Sequence, residues 1–217
     1  MTTIPEQEVL RYLRTEQLAD ESLWAQIREI CSIFEKHVSP KHLYREVSLS
    51  VTEASLSFEG FTFEKGPFYE HLRHCSSVLL FAATLGIDAD RITRAESTRS
   101  MLRGSIAHAA GAAMIEQYCD DLQQELAVSY EKEGEFLCSR YSPGYGDLPL
   151  SFQKSLFQLL PLEKYLGLSL NEHCMMIPSK SITAIIGISS EQTADFRQCS
   201  GNCLCCKNYA CSYRKDG

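Results

Sequence analysis

The stretch SVLLFAATL, Ser77–Leu85, closed by Gly86, decides how the rest of the chain is read. It is short and apolar on both parities, which predicts a central β-strand covered on both faces. Downstream, Asp88–Arg103 has the mixed polarity of a helix. Ser105–Tyr130 continues it with Ile106, Ala109, Ala110, Ala113, Met114, Tyr118, Leu122 and Leu126. Its small residues allow another backbone to pack closely, and Gly104 marks either a bend or a close approach. His108, among the alanines, reads as a boundary residue.

Upstream the period is different. Leu43, Val47, Leu49 and Val51 share one parity with Arg45, as in a half-buried strand. Leu56 and Phe58 lead to Gly60, and Phe61 and Phe63 lead to Gly66, which predicts short antiparallel strands joined by turns. A short helix is expected over Pro67–His74. Before these lie a helix over residues 6–14 and a longer one carrying Leu23, Ile27, Ile30, Cys31, Phe34 and Val38, stopped at Pro40. Beyond Gly134, Phe136–Cys138 reads as a short strand. Ser151–Leu160 reads as a helix facing inward through Phe152, Leu156, Leu159 and Leu160, with a further turn to Leu166. Cys174–Ile177 and Ser181–Ser189 read as strands. The expected architecture is a single α+β domain over residues 1–190, with its helical N-terminal portion at about 6–40. A mostly antiparallel or mixed twisted sheet is flanked by helices. Residues 191–217 form a separate Cys-rich tail.

With 217 residues, 44% hydrophobic and 23% charged, the chain has an ordinary globular composition. Its net charge of −7 argues against a nucleic-acid partner. The start, MTTIPEQEVL, has two acidic residues and no apolar core, unlike a secretion signal. No stretch approaches the ~20 apolar residues of a membrane span. A cytoplasmic, reducing setting is the expectation.

Ten cysteines are unusual for such a chain. Cys31, Cys75, Cys119, Cys138 and Cys174 are scattered and read mainly as small core residues. Cys199, Cys203, Cys205, Cys206 and Cys211 are packed into the tail, where Arg197, Lys207, Arg214 and Lys215 outnumber Asp216. Sulfur ligands at this density suit zinc or an iron–sulfur cluster, although the spacing matches neither a paired zinc ribbon nor a ferredoxin run. Thiol redox chemistry and a structural tail remain alternatives. His71 with His74, His173 beside Cys174, and Asp120–Asp121 lack the further groups that a site would need.

The loop RYSPGYGDLP, residues 140–149, is the other candidate site. Its prolines and glycines specify a non-repeating backbone. Arg140 can clamp a carboxylate. Gly144 and Gly146 allow positive φ and close approach of a ligand to the main chain. Tyr141 and Tyr145 offer rings and hydroxyls. An irregular structural connection would use the same residue types. Nucleotide-binding glycine loops, zinc-protease motifs and the hydrolase nucleophile elbow are absent.

The segments RYSPGYGDLPL, EKYLGLSL and NEHCMMIPSKSITAIIGIS resemble the activation domain of cobalamin-dependent methionine synthase. FAATLG, the alanine-rich helix and the YRE segment resemble the same family. The likeness covers roughly residues 6–190 and is most specific in Arg140–Tyr145 together with Met175–Ser181. It implies S-adenosylmethionine binding and reductive remethylation of oxidised cobalamin. The family pattern Arg-x-x-x-Gly-Tyr falls on Arg140, Gly144 and Tyr145, with Ser142 at a small-residue backbone-contact position. The resemblance implies that Arg140 fixes the methionine carboxylate, Gly144 lets the chain pass close to the ligand, and Tyr145 lines the pocket.

Two departures stand out. Ser189-Ser190-Glu191-Gln192 runs into the cysteines where the family continues with tyrosine-containing segments. The chain also has no room for homocysteine, folate or cobalamin domains. The resemblance therefore implies cobalamin held by a corrinoid-binding methionine synthase or methyltransferase module in trans, with a low-potential electron donor. A non-catalytic docking module for a corrinoid protein and a metal-binding protein centred on the tail are the competing readings.

Overall fold

Ser77–Thr84 forms a strand in which every residue is buried, as its two apolar parities require. The computed structural model describes residues 2–15 and 20–191. In chain order the strands are β1 (Lys41–Ser48), β2 (Ser50–Val51), β3 (Ser55–Phe58), β4 (Phe61–Glu64), β5 (Ser77–Thr84), β6 (Phe136–Leu137), β7 (Ser169–Leu170), β8 (Met176–Ile177) and β9 (Ser181–Ser189). The helices are α1 (Glu6–Leu13), α2 (Glu21–His37), α3 (Pro67–Leu72), α4 (Ile87–Arg99), α5 (Met101–Glu131), α6 (Gln153–Leu159) and α7 (Leu162–Leu166). The fold is α+β, with mixed and antiparallel sheets flanked by helices.

The chain forms two compact units. The first comprises the described residues up to His42, Ala83–Leu122 and Leu162–Ile182. Here α1 packs on α2 and α2 on α4. Asp20 caps α2 by accepting a hydrogen bond from the Leu23 N–H at 2.8 Å. Ile27, Ile30, Cys31 and Phe34, at helical spacing, are the buried face of α2. α4 and α5 are separated at Ser100, which is extended. Its hydroxyl accepts from the Arg103 N–H at 3.1 Å and so starts α5 as a cap. Of the two readings of Gly104, a bend or a close approach, the second holds: a Cβ there would lie 2.9 Å from the Ser97 Cα. Gly111 serves α5 similarly, because its Cβ would meet the Phe34 ring at 3.2 Å. The small residues of α5 therefore act through packing distance.

The second unit comprises Leu43–Ala82, Gln123–Pro161 and the described residues from Thr183 on. It holds the larger parts of the four-stranded sheet, ordered β1-β5-β9-β6. β6 pairs antiparallel with β9, Leu137 opposite Ile188. A separate antiparallel meander, β2-β3-β4, turns at Glu59–Gly60 with Phe58 opposite Phe61. Gly60 takes φ +83° there, a value open to glycine. Phe58, Phe61 and Phe63 pack edge-on against Phe152, with centroids 5.2–6.3 Å apart. The helix expected from Ser151 opens with a 3-10 turn, Leu150–Phe152, before α6. Inside, the Thr183 hydroxyl donates to Gln153 Oε1 at 2.7 Å, so this buried polar pair is satisfied.

The strand expected over Cys174–Ile177 is confined to Met176–Ile177. Cys174 has φ +61° and sits in a turn, where the Asn171 side chain accepts from the His173 and Met175 N–H groups at 2.9 Å. That turn joins β8 to β7, a short strand that periodicity alone does not signal.

Candidate functional site

The chain leaves β6 at Leu137 and enters the loop through Cys138 and Ser139. The Cys138 N–H donates to the Gly187 carbonyl at 2.8 Å, and Tyr141 exchanges two 2.9 Å backbone hydrogen bonds with Ile185. Both contacts tie the entrance of the loop to β9. Arg140 lies between them, half-buried, and its Nη1 donates to Gln123 Oε1 at 2.9 Å. Gln123 is also bound to the strand end, since its Nε2 donates to the Cys138 carbonyl at 2.8 Å.

Tyr141 turns inward. Its ring lies 5.1 Å from Phe68 and 5.2 Å from both His71 and Tyr145. Its hydroxyl donates to Asp147 Oδ1 at 3.1 Å. Burial, reinforced by the adjacent Asp147 carboxylate, pushes its phenol up to about 12. Tyr141 is therefore committed to the protein interior.

Asp147 has a structural task as well. Its Oδ1 also accepts from the Phe68 N–H at 2.8 Å, in the first turn of α3. This carboxylate satisfies a helix-end donor from 79 residues away. The arrangement needs two glycines. A Cβ on Gly66 would lie 2.1 Å from Asp147 Oδ2, and one on Gly146 would lie 1.9 Å from the Tyr141 hydroxyl. Gly146 also takes φ +54°.

Between these anchors Gly144, Tyr145 and Gly146 are exposed, while Pro143 is buried. Ser142 is half-buried and its carbonyl accepts from the Tyr145 N–H at 3.0 Å. Gly144, exposed at φ +93°, donates its N–H to the Leu148 carbonyl at 2.8 Å. Tyr145 is 69% exposed and leans edge-on against Tyr141. The site thus has a charged guanidinium at its entry, a hydrogen-bonded glycine turn and an exposed phenol at its tip. This geometry suits a ligand that carries a carboxylate and lays a flat or extended portion along the main chain.

Arg140, Ser142, Gly144 and Tyr145 lie along one loop, in which Ser142 and Tyr145 share a backbone hydrogen bond while the Arg140 side chain bonds Gln123. Gln123 and the structural role of Asp147 are legible only in three dimensions, because Gln123 is one of several polar residues along α5. Cys199, Cys203, Cys205, Cys206 and Cys211 lie outside the described residues. Among the described residues, no three His, Cys, Asp or Glu side chains converge to hold a metal. Cys31, Cys75, Cys119, Cys138 and Cys174 are buried, and none of them is in a disulfide. Cys75 and Cys138 have their sulfurs 3.5 Å apart, over Gly187, where a Cβ would strike both. No described helix is long and apolar enough to cross a membrane.

The family model for the activation domain of vitamin B12 dependent methionine synthase matches residues 79–201, more than half of the chain. A crystal structure of the MetH reactivation domain bound to AdoHcy has a similar fold, with TM-score 0.65 and 15% identity, covering 88% of this chain and 76% of that one. No match was found among curated proteins.

Proposed function

From membership of the chain in the family of vitamin B12 dependent methionine synthase activation domains, we propose that it binds S-adenosylmethionine at Arg140–Tyr145 and supports reductive remethylation of cobalamin held by a separate corrinoid protein. The observation that carries this reading is the loop itself. Arg140 stands at its entry, Gly144 at the turn, and Tyr145 is exposed at the tip. Arg140 pairs with the ligand carboxylate. Ser142 and Gly144 offer main chain for close approach, and the Tyr145 ring covers one side of the ligand.

The overall reaction moves a methyl group from the sulfonium of S-adenosylmethionine to reduced cobalt on the partner, leaving S-adenosylhomocysteine. One electron from a low-potential donor precedes it. The protein's own contribution is to hold and orient the methyl donor. The partner is a corrinoid-binding methionine synthase or methyltransferase module acting in trans.

Titration of the protein with S-adenosylmethionine tests the binding half, with Arg140→Ala as control. Saturable binding weakened by about 100-fold in that variant is expected for loss of a paired, charge-assisted contact. The reaction half is tested by mixing the chain with a corrinoid methyltransferase module, S-adenosylmethionine and a strong reductant. Methylcobalamin should form only when the chain is present. Binding to the corrinoid module without methylcobalamin formation would favour the docking-module reading.

Cys199, Cys203, Cys205, Cys206 and Cys211 form a candidate donor set for an iron–sulfur centre or zinc, motivated by their density in the sequence. Anaerobic purification followed by iron, sulfide and zinc analysis decides between them. Zinc without iron would remove an electron-transfer role.

A further inference from the structure

Gln123 is bound at both ends of its amide. Nε2 donates to the Cys138 carbonyl and Oε1 accepts from Arg140 Nη1, at 2.8 and 2.9 Å. These partners fix the amide's orientation, because a carbonyl only accepts and a guanidinium only donates. One bond fastens α5 to the point where the chain leaves β6. The other aims the guanidinium two residues further on.

The chemistry of the acceptor matters too. An amide oxygen carries no net charge, so this contact orients Arg140 without adding a negative charge of its own beside the guanidinium. A glutamate in its place would compete with a carboxylate ligand. We propose that Gln123 is a positioning residue for Arg140 and thereby sets the preference of the site for methyl donors that carry a carboxylate. This inference rests on the assignment of the loop to S-adenosylmethionine.

The test compares S-adenosylmethionine with its decarboxylated analogue, using calorimetric titration of the full chain. Gln123→Leu should weaken S-adenosylmethionine binding about tenfold, the effect of losing one hydrogen bond to a charged group. Binding of the decarboxylated analogue should stay within about twofold, since that ligand makes no carboxylate contact. Gln123→Glu retains an acceptor for Arg140 and serves if the leucine variant does not fold. It should weaken S-adenosylmethionine further, through its charge, and spare the analogue.

Equal weakening of both ligands would show a merely structural role and overturn the proposal. So would unchanged binding in both Gln123 variants alongside clear weakening in Arg140→Ala. If Arg140→Ala itself leaves S-adenosylmethionine binding intact, the assignment of the loop falls and the Gln123 proposal falls with it.

Discussion

The loops Tyr141–Leu148 and Asn171–Ser179, one in each unit, are both fastened by an aspartate, yet they differ in what surrounds the fastening. In the first, Asp147, itself exposed, joins the hydroxyl of buried Tyr141 to the N–H of buried Phe68 at the start of α3. In the second, Asp90 on α4, half-buried, accepts from the N–H and hydroxyl of exposed Ser179 at 3.0 and 2.5 Å. A hydrogen bond removed from an apolar environment leaves an unsatisfied group, whereas water replaces one at the surface. The first loop can therefore hold a fixed shape while its tip stays open. The second exposes Met175 and Ile177, and water can take the place of its anchor.

The largest expected effect comes from breaking the first loop sterically. Gly146→Ala places a methyl group against the Tyr141 hydroxyl at positive φ. It should cost about 3 kcal/mol in urea unfolding, since strain and overpacking combine. It should also abolish S-adenosylmethionine binding. Asp147→Ala removes both of its hydrogen bonds and should cost about 2 kcal/mol, the sum expected for a cap and a neighbouring hydroxyl. Asp90→Ala should cost about 1 kcal/mol or less, as exposed contacts do. Parity between the two aspartate variants would erase the distinction drawn between the loops.

The smallest effect is confined to alkaline pH. The Tyr141 phenol is raised to about 12 in the folded protein, while an unfolded tyrosine titrates near 10. Its stabilising contribution is complete below about pH 10 and is lost as pH rises towards 12, because the folded state then binds more protons than the unfolded. Tyr141→Phe lacks this contribution. Denaturation series for the two proteins should therefore converge between about pH 10 and pH 12. A constant separation across that window would contradict the buried pairing with Asp147.

Much of the fold is legible in the sequence because its signals are local. The unbroken apolar run of β5, the spacing of Ile27, Ile30 and Phe34, and the glycines at 60 and 134 each act within a few residues. Reading fails where a short element depends on its neighbour. β7 and β8 are each two residues long and exist because they pair. The helix break at Ser100 carries no glycine or proline to mark it, whereas Gly104 serves the close approach that is one of its two readings. Tyr141 offered a phenol to a ligand by residue type, but tertiary packing turned it inward.

The candidate site divides in the same way. Arg140, Ser142, Gly144 and Tyr145 lie within six consecutive positions. Their grouping and the backbone freedom of the glycines follow from covalent connection and dihedral preference, so the sequence by itself determined them. The partners that hold the loop are Gln123, Phe68, Gly66 and Ile185. They come from other helices and strands, and only the tertiary structure decided them, because a hydrogen bond needs its two groups within about 3 Å whatever their distance along the chain.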